Sequence, residues 1–391
     1  MKKALIITNT ASMVHLFNGA NIEVLQKQGY EVHVACNFFS GNTAPAEEIA
    51  DYRKQWAETG VIAHHIGFLR SPFSLKSFKI YAETKKLIRQ GGFDLIHCHT
   101  PIVSVFTRLA ARKLRKNGKT KVIYTAHGFH FYGGAPLINW LIYYPIEKLM
   151  APLTDVLVTI NKEDHRRAVR SLRAKHVVYA EGVGVDTEAI ICEPAQTEQI
   201  RQELGMQPGD LLITSVGELN SNKNHAAAMR ALTQCKTKNV HYAVAGIGEG
   251  RAALETLAEE LGLSQRVHLL GFRTDVYQLL KTSDIFVFPS LREGLSVALM
   301  EAMACGLPAV VSNIRGNCDL IDEGQGGILC PSDDAEAFAA AIDKLAEDAA
   351  LRQEMGEYNK EKIKAFDKHV VCQKIEDILN AEQNEMSYEK A

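Results

Sequence analysis

Several loops of this chain carry side chains whose types and spacing could do chemistry. The run Pro289-Ser290-Leu291-Arg292-Glu293-Gly294-Leu295-Ser296-Val297-Ala298-Leu299-Met300-Glu301-Ala302-Met303 sets Glu293 in a loop. It sets Glu301 about two turns into the helix expected over Leu295–Cys305. A carboxylate among Leu, Ala and Met is costly unless hydrogen-bonded. Two vicinal ribose hydroxyls would satisfy Glu301 as paired donors, and a buried ion pair is the structural alternative. The N–H groups of Gly294, Leu295 and Ser296 lie at the expected helix start, where they could bind a phosphate or sugar oxygen. In Ser215-Val216-Gly217-Glu218-Leu219-Asn220-Ser221-Asn222-Lys223-Asn224-His225, Lys223 opens a helix expected over Lys223–Gln234. An ammonium there is electrostatically out of place unless an anion lies between it and the helix. Lys223 therefore reads as a diphosphate contact, against the alternative of a solvated surface lysine. In Thr125-Ala126-His127-Gly128-Phe129-His130-Phe131-Tyr132-Gly133-Gly134, His127 stands at the ligand-side end of a strand. A lone histidine is often structural; its position makes His127 a candidate, with His130 as a wall residue. Gly246-Ile247-Gly248-Glu249-Gly250 has Arg251 where the dinucleotide fingerprint needs its third glycine, so it reads as a strand-to-helix turn.

The elements that must position these loops alternate along the chain. Short apolar runs at Ala4–Thr8, Glu31–Cys36, Val61–Ile66, Leu95–His99, Val122–Thr125 and Val156–Ile160 are separated by helical patterns such as Leu75–Arg89 and Val103–Lys116. The pattern repeats at Leu211–Val216, Tyr242–Ala245, Val267–Leu270, Ile285–Phe288 and Ala309–Ser312, with helices at Arg251–Leu261 and Ala335–Ala346. Continuous apolar strands separated by helices predict parallel sheets covered on both faces. The expected fold is α/β, two doubly wound Rossmann-like domains facing a cleft. The boundary falls in Gly182-Val183-Gly184-Val185-Asp186, giving residues 1–185 and 186–391, with the last helices free to return to the first domain. Ligands in such folds sit beyond the C-terminal ends of the strands.

A net charge of −2 argues against nucleic acid as a partner, but the total hides an asymmetry. Met1–Asp186 holds 25 Lys and Arg against 14 acidic residues, and Thr187–Ala391 holds 19 against 32. A basic half suggests attraction to an anionic surface or a phosphorylated ligand. Arg108, Arg112 and Arg115 share a helix face, and Arg166, Arg170 and Arg173 repeat that spacing. They join the run Leu137–Tyr144, apolar or aromatic at all but one position, in pointing to peripheral contact with anionic membrane. A core helix is the other reading of that run. Eight scattered cysteines without a Cys-x-x-Cys pair read as reduced, buried thiols of a cytoplasmic protein. Ala4–Ile7 is too short for a signal peptide and reads as a first strand.

Together these segments resemble glycosyltransferase family 4, the nucleotide-sugar-dependent retaining enzymes of the GT-B fold. Its strongest marks are Glu293-x7-Glu301 after Phe288-Pro289-Ser290, followed by Ala304-Cys305-Gly306-Leu307-Pro308-Ala309-Val310. His99-Thr100-Pro101, Thr125 to Tyr132, Ser215 to Asn220 and Ile314 to Asn317 are similar to the bacterial exopolysaccharide and capsule branch. The resemblance implies that Glu301 holds the ribose hydroxyls, Glu293 and His127 contact the donor sugar, and Lys223 binds the diphosphate. It implies that Phe272 and Arg273 lie against the base, usually uracil, and that Ser12 approaches phosphate or acceptor. It also implies retention at the anomeric carbon and a polyprenyl-diphosphate-linked saccharide as acceptor. One departure is Glu218, where the wider family has an arginine that helps bind the diphosphate. Lys223, helix N-termini and Arg292 or Arg315 must then compensate. No Asp-x-Asp occurs, so neither a catalytic metal nor another cofactor is expected beside the UDP-sugar co-substrate. Competing readings are a UDP-sugar epimerase of the same architecture and a nucleotide-sugar-binding protein without turnover.

Overall fold

The computed structural model of the chain describes residues 1–69, 74–182 and 184–388. The chain forms two compact units, Met1–Val183 with His369–Ala391, and Gly184–Lys368. Val183, within the expected boundary, lies outside the described residues.

The first unit is built on strands β1 (Lys2–Thr10), β2 (Tyr30–Asn37), β3 (Ile62–His65), β4 (Leu95–His99), β5 (Lys121–Ala126), β6 (Val156–Thr159) and β7 (His176–Tyr179). They form one parallel sheet in the order β3-β2-β1-β4-β5-β6-β7. Strand β1 shows why its sequence reads as an unbroken apolar run. Ala4 and Ile6 enter one core with Val34, Trp56 and Val158, while Leu5 and Ile7 enter the core on the opposite face with Ile96, Tyr124 and Phe131. Side chains alternate across a strand, so a strand covered on both faces is apolar at every position. The last helix, Lys368–Tyr388, adds Leu379, Cys372, Ile375 and Ile378 to the first of these cores. This helix, counted with the second domain in the sequence division, therefore packs with the first unit through those four residues.

The second unit has β8 (Leu211–Val216), β9 (Val240–Ala245), β10 (Val267–Gly271), β11 (Ile285–Phe288), β12 (Ala309–Ser312) and β13 (Gly327–Cys330). Their order is β10-β9-β8-β11-β12-β13, again all parallel. Both sheets reverse their strand order once, between β1 and β4 and between β8 and β11, the point where such folds bind ligands. The charge asymmetry survives the reassignment of the last helix. The first unit holds 27 Lys and Arg against 18 acidic residues and the second 17 against 28.

Two expectations are corrected here. Arg108 is not on a solvated face: it is 1% exposed, stacks over Tyr124 and pairs with Glu147 at 3.0 Å. Arg115 is tied to Asp155 at 2.9 Å, which leaves Arg112 as the exposed arginine of that set. Helical spacing places residues on one face but does not say whether another helix covers it; here Leu137–Met150 does, through Glu147. Second, the thiols are free but not uniformly buried. Cys36, Cys98, Cys235 and Cys330 are buried, whereas Cys192 and Cys318 are exposed. Among the described residues no helix is long and apolar enough to cross a membrane.

Candidate functional site

In the second unit the loops after β8 and β9 are zipped together by their backbones. Gly217 N donates to Ala245 O, Leu219 N to Ile247 O and Gly250 N to Leu219 O, at 2.9, 3.0 and 2.8 Å. This contact explains the glycines of the 246–250 turn. A Cβ on Gly246 would stand 1.9 Å from the carbonyl oxygen of Gly217, and one on Gly248 would stand 2.4 Å from that of Leu219. The turn braces its neighbour, in keeping with its reading as a strand-to-helix turn.

The braced loop aims Lys223. Asn220 Oδ1 accepts from Lys223 N at 3.0 Å, and Leu291 N donates to Asn222 O at 2.8 Å, tying this loop to the one after β11. Lys223 Nζ then donates to Glu293 Oε1 at 2.8 Å and lies over the Phe288 ring, 4.7 Å from its centre. Two residues seventy positions apart thus form one half-buried pair, and the solvated-lysine alternative for Lys223 fails. Both expected helices begin two residues late. The first is His225–Gln234, with Asn224 as its left-handed cap, so Lys223 precedes the helix instead of opening it. The second is Val297–Ala304, with Ser296 as its cap accepting from Leu299 N at 3.3 Å. Gly294, Leu295 and Ser296 therefore form the turn before the helix, and its leading amides belong to Val297 and Ala298. Gly316 sits at φ 82°, and a Cβ there would meet Gly294 O at 2.4 Å, so the Ile314–Asn317 loop presses directly on this turn.

Glu301 is half-buried and makes no ion pair among the described residues. Its hydrogen-bond partner is the Tyr277 phenol. Burial pushes the carboxyl up to about 7, with the Tyr277 hydrogen bond opposing. Arg273 is differently employed from its expected role. Its guanidinium donates to both oxygens of Asp275 at 2.8 and 2.6 Å and to Glu203 at 2.5 Å. With those donors spent, Arg273 anchors the segment after β10 while the adjacent Phe272 ring is 37% exposed. Glu218 accepts from Asn220 Nδ2 at 2.7 Å.

In the first unit His127 follows β5 and is half-buried, with its Nε2 2.9 Å from His99 Nδ1 and its ring edge against Phe17. Burial lowers it to about 4, so it is neutral near pH 7. Thr100, just after His99, holds φ 62° and ψ 142°. A non-glycine residue in that region costs about 1–3 kcal/mol and persists only where its surroundings demand it. Ser12 is corrected. Strand β1 runs straight into the helix Ala11–Lys27 with no intervening loop. Ser12 is buried, its N donating to Asn42 Oδ1 at 3.1 Å and its Oγ accepting from Thr43 N at 3.1 Å. It fastens the loop after β2 instead of presenting a hydroxyl to a ligand.

Residues 22–188 match the family model Glycosyltransferase Family 4, and residues 196–362 match Glycosyl transferases group 1. The EpsD protein of Bacillus subtilis (strain 168) is 35% identical over 370 residues, 94% of this chain and 93% of that one. The chain belongs to glycosyltransferase family 4. A second relative is the UDP-Gal:alpha-D-GlcNAc-diphosphoundecaprenol alpha-1,3-galactosyltransferase of Escherichia coli, 27% identical over 84% of this chain and 83% of its own. Anabaena HepE, solved with UDP-glucose, superposes with a TM-score of 0.77 at 19% identity, covering 97% of this chain and 99% of its own. The fold is of the GT-B type, two parallel-sheet Rossmann-like domains. Within this glycosyltransferase the Lys223–Glu293 pair lies in the loops after β8 and β11, and Glu301 lies in the helix Val297–Ala304 that follows β11. Sequence reasoning gave Tyr277 no role, and Phe288 and His99 only a place in the family motifs. Phe288 and His99 were legible as strand ends, but Tyr277 lies on a short helix, Val276–Thr282, with no local mark of its contact with Glu301.

Proposed function

We propose that the chain transfers a hexose or N-acetylhexosamine from a UDP-sugar to a polyprenyl-diphosphate-linked saccharide during surface polysaccharide synthesis. Transfer proceeds with retention at the anomeric carbon and without a catalytic metal. The observation that carries the reading is the Lys223–Glu293 pair at 2.8 Å beside β8 and β11. A cation and a carboxylate side by side suit a sugar diphosphate, which presents both a charged leaving group and polar hydroxyls. As the anomeric C–O bond breaks, its electron pair goes to the diphosphate oxygen and positive charge develops on the sugar. Lys223 donates to the diphosphate, and the amides of Val297 and Ala298 add their partial positive charge. Glu293 lies within reach of the developing cation, Glu301 accepts from the ribose hydroxyls, Phe272 stacks on the base and His127 contacts the sugar.

The diphosphate-linked acceptor of the Escherichia coli relative supports the lipid-linked acceptor here. A surface feature supports work at a membrane. Leu137, Leu141 and Leu149 on the helix Leu137–Met150 are 80%, 73% and 70% exposed, while Trp140, Tyr143 and Tyr144 of the same helix pack on the core. The neighbouring helix Lys162–Ser171, joined to it by Arg167 over Trp140, exposes Arg166 and Arg170. Apolar and basic side chains together suit an anionic bilayer surface. The lack of an Asp-x-Asp sequence supports metal independence.

The test is a UDP-release screen across UDP-sugars with and without a lipid-linked saccharide. Release that requires acceptor, survives EDTA and falls at least about a hundredfold in Lys223→Ala is expected. Conversion of the donor alone would instead identify an epimerase, and tight UDP-sugar binding with no conversion would identify a binding protein.

A further inference from the structure

The reading above uses His127 and leaves its neighbours unexplained. His97 Nε2 lies 2.7 Å from Thr125 Oγ1, the His97 and His99 rings are 4.2 Å apart, and His99 Nδ1 meets His127 Nε2 at 2.9 Å. His99 is 1% exposed, and its Nε2 has no hydrogen-bond partner. His99 lines a cavity of about 30 Å³ together with Asn21. Asn18 Nδ2 donates to Met13 O at 3.2 Å, so Asn18 Oδ1 accepts from Asn21 Nδ2 at 3.0 Å. Asn21 therefore turns an acceptor, Oδ1, away from that bond, and this atom too is buried and unpartnered. His127 Nδ1 makes no hydrogen bond to protein among the described residues.

Two neutral imidazoles joined by one hydrogen bond have two arrangements. In the first, His99 Nδ1–H donates to the His127 Nε2 lone pair. His99 then keeps a bare Nε2, and the His127 proton sits on Nδ1. In the second, His127 Nε2–H donates, His99 carries its proton on Nε2, and His127 Nδ1 is bare. The second arrangement leaves a buried N–H without an acceptor. The first leaves only an unused lone pair, the lesser fault in a protein interior. Burial holds both rings neutral near pH 7, as it lowers His127 to about 4 and His99 further below its ordinary value.

We propose that His99 is a positioning residue: it fixes the ring and tautomer of His127 so that His127 presents an Nδ1–H donor to an oxygen of the bound sugar. This deepens the transferase reading and rests on it only for the identity of the ligand. His99 ends β4 and is followed directly by Thr100 in its strained conformation.

The test compares His99→Asn with His99→Asp. These replacements are nearly identical in shape, but Asn keeps a donor near the place of Nδ1 and Asp offers only acceptors. Long-range 15N–1H correlation spectra of ring-labelled protein without substrate read the His127 tautomer, with His127→Gln for assignment. Wild type and H99N should carry the proton on Nδ1. H99D should move it to Nε2 and lower kcat with the UDP-sugar at least about tenfold, while H99N keeps most of it. Should H99D fail to fold, His99→Ser removes the imidazole donor and should leave a mixture of tautomers. A proton on Nε2 in the wild type, or one tautomer throughout, overturns the proposal. The spectra do not depend on turnover, so an inactive protein with the expected tautomers would refute the transferase reading alone.

Discussion

Glu301 offers a quantitative check on how the site binds its ligand. Its carboxyl is pushed from 4.5 up to about 7 by burial, against the pull of the Tyr277 hydrogen bond. Only the ionised form offers acceptors to both ribose hydroxyls, so donor binding through Glu301 is linked to loss of a proton. For one such group the apparent Kd scales as 1 + 10^(pKa − pH). With the group near 7, binding is roughly tenfold weaker at about pH 6 than at about pH 8, and flat above that. His127 and His225 are both held near 4 by burial and stay neutral across this window.

The same displacement has a cost in stability, and its sign is fixed. The folded carboxyl holds its proton more tightly than the unfolded one. Its stabilising contribution is therefore complete below about pH 4.5 and lost as pH rises through about 7, a change of about 3 kcal/mol. Glu301→Gln mimics the protonated form and should melt above the wild type at about pH 8, while its donor affinity no longer varies with pH. The assay is calorimetric titration with a UDP-sugar, whose diphosphate diester does not titrate near neutrality, in two buffers of different ionisation enthalpy. Close to one proton should be released per donor bound near pH 6. A wild-type Kd that stays level from about pH 6 to 8, or an E301Q protein with the same slope, refutes the assignment of Glu301 to the ribose.

Other substitutions test the frame around the site. Arg108→Ala strands Glu147 in the core without its cation and should lower the free energy of unfolding in urea by about 3–5 kcal/mol; an unchanged midpoint would mean the pair is idle. Gly246→Ala drives a methyl group into the Gly217 carbonyl. It should cost at least about 1–3 kcal/mol and weaken UDP-sugar binding through the displaced loop, and wild-type binding would break the bracing argument. Leu137→Ser with Leu141→Ser should lower sedimentation with anionic vesicles severalfold without lowering the melting temperature, since both side chains are exposed. Equal sedimentation of wild type and double variant would remove that face from the membrane reading.

How far the fold was legible follows from burial. Strands covered on both faces are continuous apolar runs and were found, Ile285–Phe288 at its observed bounds and Lys2–Thr10 over its apolar centre, Ala4–Thr8. The two strands missed, His176–Tyr179 and Gly327–Cys330, are both at sheet edges. The first is half-buried throughout and opens with histidine, and the second opens with glycine, so neither carries the unbroken apolar pattern. The basic face around Arg108 failed for a related reason. Its partner Glu147 lies thirty-nine residues further on, and no local spacing reveals that a helix will cover it.

The candidate site divides along the same line. Local spacing identifies what stands at the end of each strand, because turns, glycines and helix starts are local. Which strand ends adjoin is a property of strand order, and strand order is not local. Lys223 follows β8 and Glu293 follows β11, with β9 and β10 between them in sequence and on the other side of β8 in the sheet. Only the reversal of order beside β8 makes the two residues neighbours. The first unit repeats the case. His99 ends β4 and His127 follows β5, adjacent strands whose register sets His99 beside Thr125. Ser12 shows the converse. It follows β1, at that sheet's own point of reversal, yet its hydrogen bonds are spent on the loop after β2. Position at a switch point brings a residue to the site, and unspent donors or acceptors decide whether it can act there. Arg273 and Ser12 spend theirs on Asp275, Glu203, Asn42 and Thr43, whereas the Lys223 ammonium, bonded once to Glu293, keeps N–H groups to spare.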